Sequence, residues 1–425
     1  MGFEKVEKKL LLPASLEEYK GIIPDKQYSE IKRLAKKLKG LKVVHVNATS
    51  VGGGPAEILR GLVPLMREAG LDVDWYVMPQ RPEFFNILLT KKPHNMLQGD
   101  MRLNLTEKDK KDFDEHSKIL ARMAKNIKPD IWVIHDPQPL GMGRFLSNRG
   151  KGMILRIHID SSDPNPGIWN FFKPYMDSYD RIIFSMPEFS PKDFSKEKTV
   201  VFTPAINAFT PMTQDMDIKD AELIIEKFGV NPTKPLVVNI SRFDYWKDPL
   251  GMIDAYYKAK NEIQDLQFVL MGLMIASDDP DALSIFKKVK RYAKGDPEVF
   301  LFADIKEIED MGLSWPNFVN AFRTAADVVL HKAIKEGFGM AVTEAMLKGK
   351  PVVGGNVGGI KAQIIDGESG FLVDSSVEAA DRITQLIKNP ELSKKMGISA
   401  QKRVQENFLM PRLLLDYLKL FEELS

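Results

Sequence analysis

Two glutamates eight residues apart, Glu336 and Glu344, flank a glycine-bearing loop that runs into a helix-forming stretch, Glu336-Gly-Phe-Gly-Met-Ala-Val-Thr-Glu344. Backbone N–H groups at Gly339, Met340 and Ala341 fall at the start of that helix. There the first amides lack intrahelical acceptors and the helix dipole favours an anion such as a diphosphate. Glu336 precedes the helix and Glu344 lies inside it. At about 1.5 Å rise per residue the second carboxylate stands roughly 5 Å along the axis, so the pair can hold different parts of one extended ligand. Carboxylates accept from hydroxyls, and hexose and ribose hydroxyls flanking a diphosphate fit this spacing. The chemistry is that of a sugar-nucleotide donor site.

Two cations belong to the same reading. Arg242 and Lys247, in Ser241-Arg-Phe-Asp-Tyr-Trp-Lys247, supply the charge that a departing diphosphate requires where no metal neutralises it. Other polar candidates also gather just beyond apolar runs: Asn47 and Gly52 to Gly54, then His135-Asp136, then His158 and Asp160 in Leu155-Arg-Ile-His-Ile-Asp160. Along this last run Leu155, Ile157 and Ile159 share one face of a strand and Arg156, His158 and Asp160 the other. A glycine triplet alone reads equally as a flexible loop, and His158 alone as an ordinary polar-face residue. Their common place after strands is the argument for function. The pairs Asp72/Asp74, Asp112/Asp114 and Asp215/Asp217 have the spacing used by metal-dependent transferases. The first alternates along a strand, the others lie in charged segments, and none follows a strand beside a glycine loop. With six histidines and no cysteine, no metal cluster emerges.

The elements that must position these residues form two series. A chain of 425 residues implies two domains of about 200 residues each. A helical prelude, Leu16 to Leu38, leads to strands at Leu41 to Asn47, Leu71 to Met78, Ile131 to His135, Met153 to Ile159 and Arg181 to Ser185, with a helix from Ala56 to Ala69. Thr203 to Pro211, framed by prolines, reads as a linker. Strands at Leu236 to Ile240, Gln267 to Met271, Val299 to Phe302, Asp327 to His331 and Pro351 to Val353 follow, and Met410 to Leu424 is a helix that crosses back onto the first domain. Alternating β and α argues for doubly wound parallel sheets. The expected division is residues 1–210 with 407–425, and 211–406, the ligand lying in a cleft at the carboxyl ends of both sheets.

Composition excludes several classes. Hydrophobic residues are 44% and charged ones 28%, an ordinary soluble balance without extended disorder. A net charge of +2 leaves no nucleic-acid footprint, and the basic run Lys32 to Lys39 reads as the solvated face of an amphipathic helix. Absence of cysteine excludes disulfides. No apolar run reaches about 18 residues and the N-terminus lacks a signal peptide's apolar segment, so a cytoplasmic location is expected. Zero cysteine with abundant Lys and Glu suits a hot-growing source.

Together these residues resemble the retaining glycosyltransferases of the GT-B type, in the family that carries the glutamate, seven residues, glutamate motif. Its fold class is α/β, two facing doubly wound Rossmann-like domains with the active site in the interdomain cleft, the N-terminal one on the acceptor side and the C-terminal one binding the donor. More narrowly, Phe84 to Gly99, Arg156 to Asp160, Met271 to Pro280 and Glu336 to Glu344 look like the trehalose glycosyltransferring synthases. These join glucose from a nucleoside diphosphate donor to free glucose, giving α,α-trehalose, and run backwards as well. The resemblance places Arg242, Lys247 and the backbone of Gly339, Met340 and Ala341 on the donor diphosphate, with Gly53 and Gly54 over it. It places Glu344 on ribose and Glu336 on donor glucose hydroxyls. His158 falls near the transferred sugar and its developing positive charge, Asp136 near the glucose pocket, and Asn95 and Gln98 on the acceptor side. It implies ADP-, UDP- or GDP-glucose as donor, no cofactor and no metal, and small-molecule partners with neither nucleic acid nor membrane; a homodimer is left open. Leu155-Arg156 departs from close relatives, which have an aromatic and a small or polar residue, and touches the pocket edge.

Retention by double displacement needs a carboxylate nucleophile opposite the leaving group. With Glu336 on the donor side, front-face substitution is expected instead. Two rivals remain: a retaining transferase of this fold with a lipid, glycan or other sugar acceptor, and a non-catalytic sugar-nucleotide sensor. The intact set Arg242, Lys247, Glu336 and Glu344 counts against the sensor, and the lack of an exposed apolar or aromatic-basic anchor against a lipid acceptor. A glucan phosphorylase would share the fold, but no lysine motif for its pyridoxal cofactor is recognised.

Overall fold

The computed structural model describes residues 2–12, 15–51, 54–79, 91–190, 193–273 and 280–425. Its strands are β1 (Glu4–Lys5), β2 (Lys42–Asn47), β3 (Asp72–Val77), β4 (Ile131–His135), β5 (Gly152–Arg156), β6 (Arg181–Phe184), β7 (Thr199–Val201), β8 (Leu236–Ile240), β9 (Gln267–Met271), β10 (Val299–Phe302), β11 (Val328–His331), β12 (Val352–Gly355) and β13 (Phe371–Val373). The central strands are largely apolar runs buried along their length, as β4, β5 and β9 are. Strands covered on both faces by helices need apolar residues at every position.

They form two sheets, ordered β1-β3-β2-β4-β5-β6-β7 and β10-β9-β8-β11-β12-β13. Among the described residues only the β1–β3 pairing is antiparallel. In the first sheet the order reverses between β2 and β4, in the second between β8 and β11. At such a switch point the loops leaving two adjacent strands run apart and open a crevice at their carboxyl ends, where doubly wound sheets take ligands. The residues after β2 and β4 therefore share one crevice, and those after β8 and β11 another.

The chain divides into two compact units, residues 1–206 with 409–425, and residues 207–408. Thr203 to Pro211, read as a linker, is partly core: Ala205 and Ile206 are buried. Ile206 bridges to Leu409, Met410 N–H donates to Ile206 O at 3.0 Å, and the Arg412 guanidinium donates to Thr203 O at 2.5 Å. Helix Met410–Leu424 buries Leu413, Leu414, Tyr417, Leu418 and Phe421 at the three-and-four spacing of one helical face. It packs on helices Asp25–Lys37 and Gly54–Glu68. On Asp25–Lys37 the lysines are exposed while Ile31 and Leu34 are buried, so the basic run is a solvated face. No helix among the described residues is long and apolar enough to cross a membrane.

Two differences from the sequence reading bear on function. The strand expected to run from Met153 to Ile159 ends at Arg156, which puts His158 in the loop beyond it. Short strands β1, β7 and β13 went unpredicted, because two or three residues carry no readable periodicity.

If helix Met410–Leu424 belongs energetically to the first unit, Leu418→Ala costs about 3 kcal/mol, the usual toll for a buried Leu. Hydrogen exchange should then show faster opening in residues 1–206, with 207–408 unchanged. Faster exchange confined to residues 207–408 would contradict the assignment.

Candidate active site

In the second unit, the turn after β8 and the loop after β11 meet. Lys247 closes the 3-10 turn Tyr245–Lys247, which the Asp244 carboxylate caps by accepting from Trp246 N–H at 3.0 Å. Trp246 O accepts from Ile334 N–H at 2.9 Å, which ties the two loops by their backbones. Lys247 Nζ then donates to Glu336 Oε2 at 2.5 Å, and His331 Nε2 lies 2.9 Å from the same oxygen. The Glu336 side chain is only 10% exposed and that of Lys247 15%. Burial opposes ionisation of Glu336, but the Lys247 charge and the His331 hydrogen bond outweigh it and hold the carboxyl down at about 2. Lys332 pairs in turn with Asp248, a non-glycine residue at φ 51° whose carboxylate caps helix Pro249–Lys260.

Close backbone approach fixes the Glu336 loop from the other side. Gly359 N–H donates to Glu336 O at 3.1 Å. A Cβ at Gly358, where φ is +42°, would stand 1.9 Å from that oxygen, so only glycine fits. Gly339, at φ 82°, precedes helix Met340–Leu347, and no side chain caps this N-terminus. Glu344 on that helix accepts from Arg323 Nη2 at 2.5 Å, while Arg323 Nη1 donates to Met212 O at 2.8 Å. The Arg323 side chain is wholly buried, which pins one oxygen of Glu344.

The first unit holds the second group. His135 ends β4, and Asp136, at φ 63°, accepts from His158 N–H at 2.8 Å. Burial pushes the Asp136 carboxyl up to about 7, against the pull of that hydrogen bond and of Arg156. The three rings of His45, His135 and His158 are hydrogen-bonded in series, at 2.9 Å and 3.0 Å. Asn47 spends its side chain on the turn after β2, donating to Thr49 O and accepting from the Trp75 indole, both at 2.7 Å. Asp160 similarly takes the Ser162 N–H and hydroxyl. Arg156 is in the core, not at a pocket edge: it is buried and donates to Phe202 O at 2.6 Å.

Of the expected residues, Lys247 and Glu336 are brought into contact, as are Asp136 and His158. Arg242 points outward, 69% exposed at its side chain and 3.5 Å from Asp244. Asn95 is exposed on helix Lys91–Leu97 and Gln98 follows it, half-buried. Gly54 opens helix Gly54–Glu68; Gly52, Gly53, residues 84–90 and residues 274–279 lie outside the described residues. The doubtful aspartates have local roles, Asp74 pairing with Lys5, Asp112 with Lys108, Asp114 with Lys118 and Asp217 capping a helix. Tyr245, Trp246 and Ile334 are exposed beside Lys247, so an apolar surface does exist there and the argument against a lipid acceptor loses that support. His331, Arg323 and His45 were missed. His331 had a signal, being the last residue of the strand leading to Glu336; Arg323 reads from sequence as an ordinary helix-surface cation.

Residues 45–191 match the family described as "Trehalose synthase, N-terminal domain" and residues 220–403 "Glycosyl transferases group 1". The chain is 40% identical over 412 residues to the trehalose synthase of Pyrococcus horikoshii, covering 96% of each. It is 41% identical to that of Rubrobacter xylanophilus, covering 96% of this chain and 97% of the relative. Among solved structures, one titled "Trehalose-6-phosphate from E. coli bound with UDP-2-fluoro glucose" superposes with a TM-score of 0.67 at 14% identity, covering 90% of this chain and 98% of that one.

Because the Glu336 pKa is depressed, its stabilising contribution is complete above the ordinary value of 4.5 and is lost as pH falls toward about 2. Glu336→Gln removes that titration. The stability of wild type relative to the variant should shrink by roughly 3 kcal/mol as pH falls from about 5 to about 2, followed by urea unfolding at stepped pH. A difference independent of pH would mean that Glu336 is not held ionised by Lys247.

Proposed function

The chain belongs to the trehalose synthase family of GT-B glycosyltransferases, and from that premise we propose that it is a retaining glucosyltransferase which moves glucose from a nucleoside diphosphate glucose to free glucose, forming α,α-trehalose reversibly. The observation that carries this reading is the Lys247–Glu336 contact at the β8/β11 switch point, just ahead of the uncapped helix N-terminus at Met340. The cation and the carboxylate are already matched in charge, and a sugar nucleotide divides them: its diphosphate takes Lys247 and its hydroxyls take Glu336. An ionised carboxylate is the right acceptor for hydroxyls, and before the ligand enters Lys247 and His331 hold Glu336 in that form. Glu344, held in place by Arg323, is the carboxylate for the ribose hydroxyls.

Transfer then proceeds on one face. The bond from C1 to the phosphate oxygen loosens, and Arg242, Lys247 and the amides of Gly339, Met340 and Ala341 stabilise the charge that develops on the diphosphate. The leaving phosphate oxygen takes the proton of the incoming glucose hydroxyl as the new C1–O bond forms. Asp136 and His158, with Asn95 and Gln98, act on the acceptor side in the first unit. These fixed positive groups do the work of a divalent ion, and the reaction needs no metal.

Incubation with glucose and ADP-, UDP- or GDP-glucose should yield trehalose, and trehalose with the nucleoside diphosphate should regenerate the donor, both unaffected by EDTA. Lys247→Ala and Arg242→Ala should each slow transfer by at least about 100-fold, the effect of removing one stabiliser of transition-state charge, while remaining folded. Transfer only to lipid or polymeric acceptors would overturn the acceptor assignment. Glucose 1-phosphate formed from trehalose and inorganic phosphate would replace transfer by phosphorolysis.

A further inference from the structure

Three of the six histidines form one line across the first sheet. Strand register sets His45 beside Val133, so His135 is its diagonal neighbour on the same face of β4. His135 in turn lies beside Arg156, two residues before His158. The rings meet edge to edge: His45 Nδ1 is 2.9 Å from His135 Nε2, and His135 Nδ1 is 3.0 Å from His158 Nε2. His45 and His135 are fully buried and His158 is half-buried. Burial holds His45 down at about 3 and keeps the other two well below the usual histidine value, with the Arg156 charge adding to it. All three are neutral near pH 7, each ring with one N–H and one bare nitrogen.

A line of neutral rings has two proton arrangements, because each link needs one donor and one acceptor. With the bonds running inward, every ring donates toward the core and His45 ends with an N–H on Nε2. No polar atom among the described residues reaches that nitrogen; the Tyr417 ring stands edge-on to the His45 ring, 6.1 Å between centroids. With the bonds running outward, His45 donates from Nδ1 to His135, His135 donates from Nδ1 to His158, and the unmet atom at the buried end is a bare lone pair. Buried N–H groups without an acceptor are the rarer of the two defects. We infer that His45 and His135 are positioning residues that lock His158 in the tautomer carrying its proton on Nδ1, so that His158 meets a ligand as an N–H donor to an oxygen such as a sugar hydroxyl, and not as a base. The identity of the ligand rests on the proposed function; the tautomer does not.

The test is a long-range 1H–15N correlation spectrum of substrate-free protein labelled with 15N-histidine, the His158 signals identified by their loss in His158→Asn. The outward line gives His158 a protonated, pyrrole-type Nδ1 and a bare, pyridine-type Nε2. The opposite assignment, or averaging of the two nitrogens, overturns the inference. In His135→Phe the lock is gone and His158 should average between both tautomers; an unchanged His158 spectrum would also overturn it. Should that variant fold poorly, the wild-type spectrum decides alone. A wild type with the expected spectrum but no glucosyl transfer would remove the ligand reading and leave the relay standing.

Discussion

Lys247 and Glu336 are charges in a crevice where neither could stand alone. Removing an ion from water costs several kcal/mol, and only the 2.5 Å contact between them, with His331 on the same oxygen, offsets that cost. Meeting it requires loops from β8 and β11, nearly ninety residues apart, to converge. The Rossmann strand order supplies the convergence, the Trp246–Ile334 backbone bond locks it, and Gly358 and Gly359 let the β12 turn press against the back of Glu336. In the proposed function the same pair divides its labour, the diphosphate taking Lys247 and the sugar hydroxyls Glu336.

The first unit repeats the architecture with different chemistry. Its switch point between β2 and β4 gathers neutral rings and a carboxyl of raised pKa in place of an ion pair. Helix Met410–Leu424, whose Tyr417 packs on both His45 and Phe202, closes the inner end of that arrangement. The chain's last helix thus bears on the histidine line through packing alone.

How much of this was legible in the sequence follows from the range of each interaction. The buried strands were readable as unbroken apolar runs, and the placing of polar residues after strands was enough to single out Lys247, Glu336, Asp136 and His158, which the structure brings together in two pairs. What escaped depended on register and long-range packing. His45 and His135 are ninety residues apart and meet only because β2 and β4 align as they do. Arg323 reaches Glu344 and Met212 from the buried side of a helix whose sequence gives no hint of either. Arg156 looked like a polar-face residue because alternation implies a wet face, and a parallel sheet covered on both sides has none.

The central claim, that one switch-point pair divides a sugar nucleotide between its cation and its carboxylate, is tested most directly by calorimetric titration of Glu336→Ala with nucleoside diphosphate alone, set beside its turnover of nucleoside diphosphate glucose. Lys247, no longer held by the carboxylate, should bind the nucleotide at least as tightly as in wild type, while glucosyl transfer falls by orders of magnitude. Nucleotide affinity lost in proportion to turnover would contradict the account, since Glu336 would then serve the whole ligand and not its sugar.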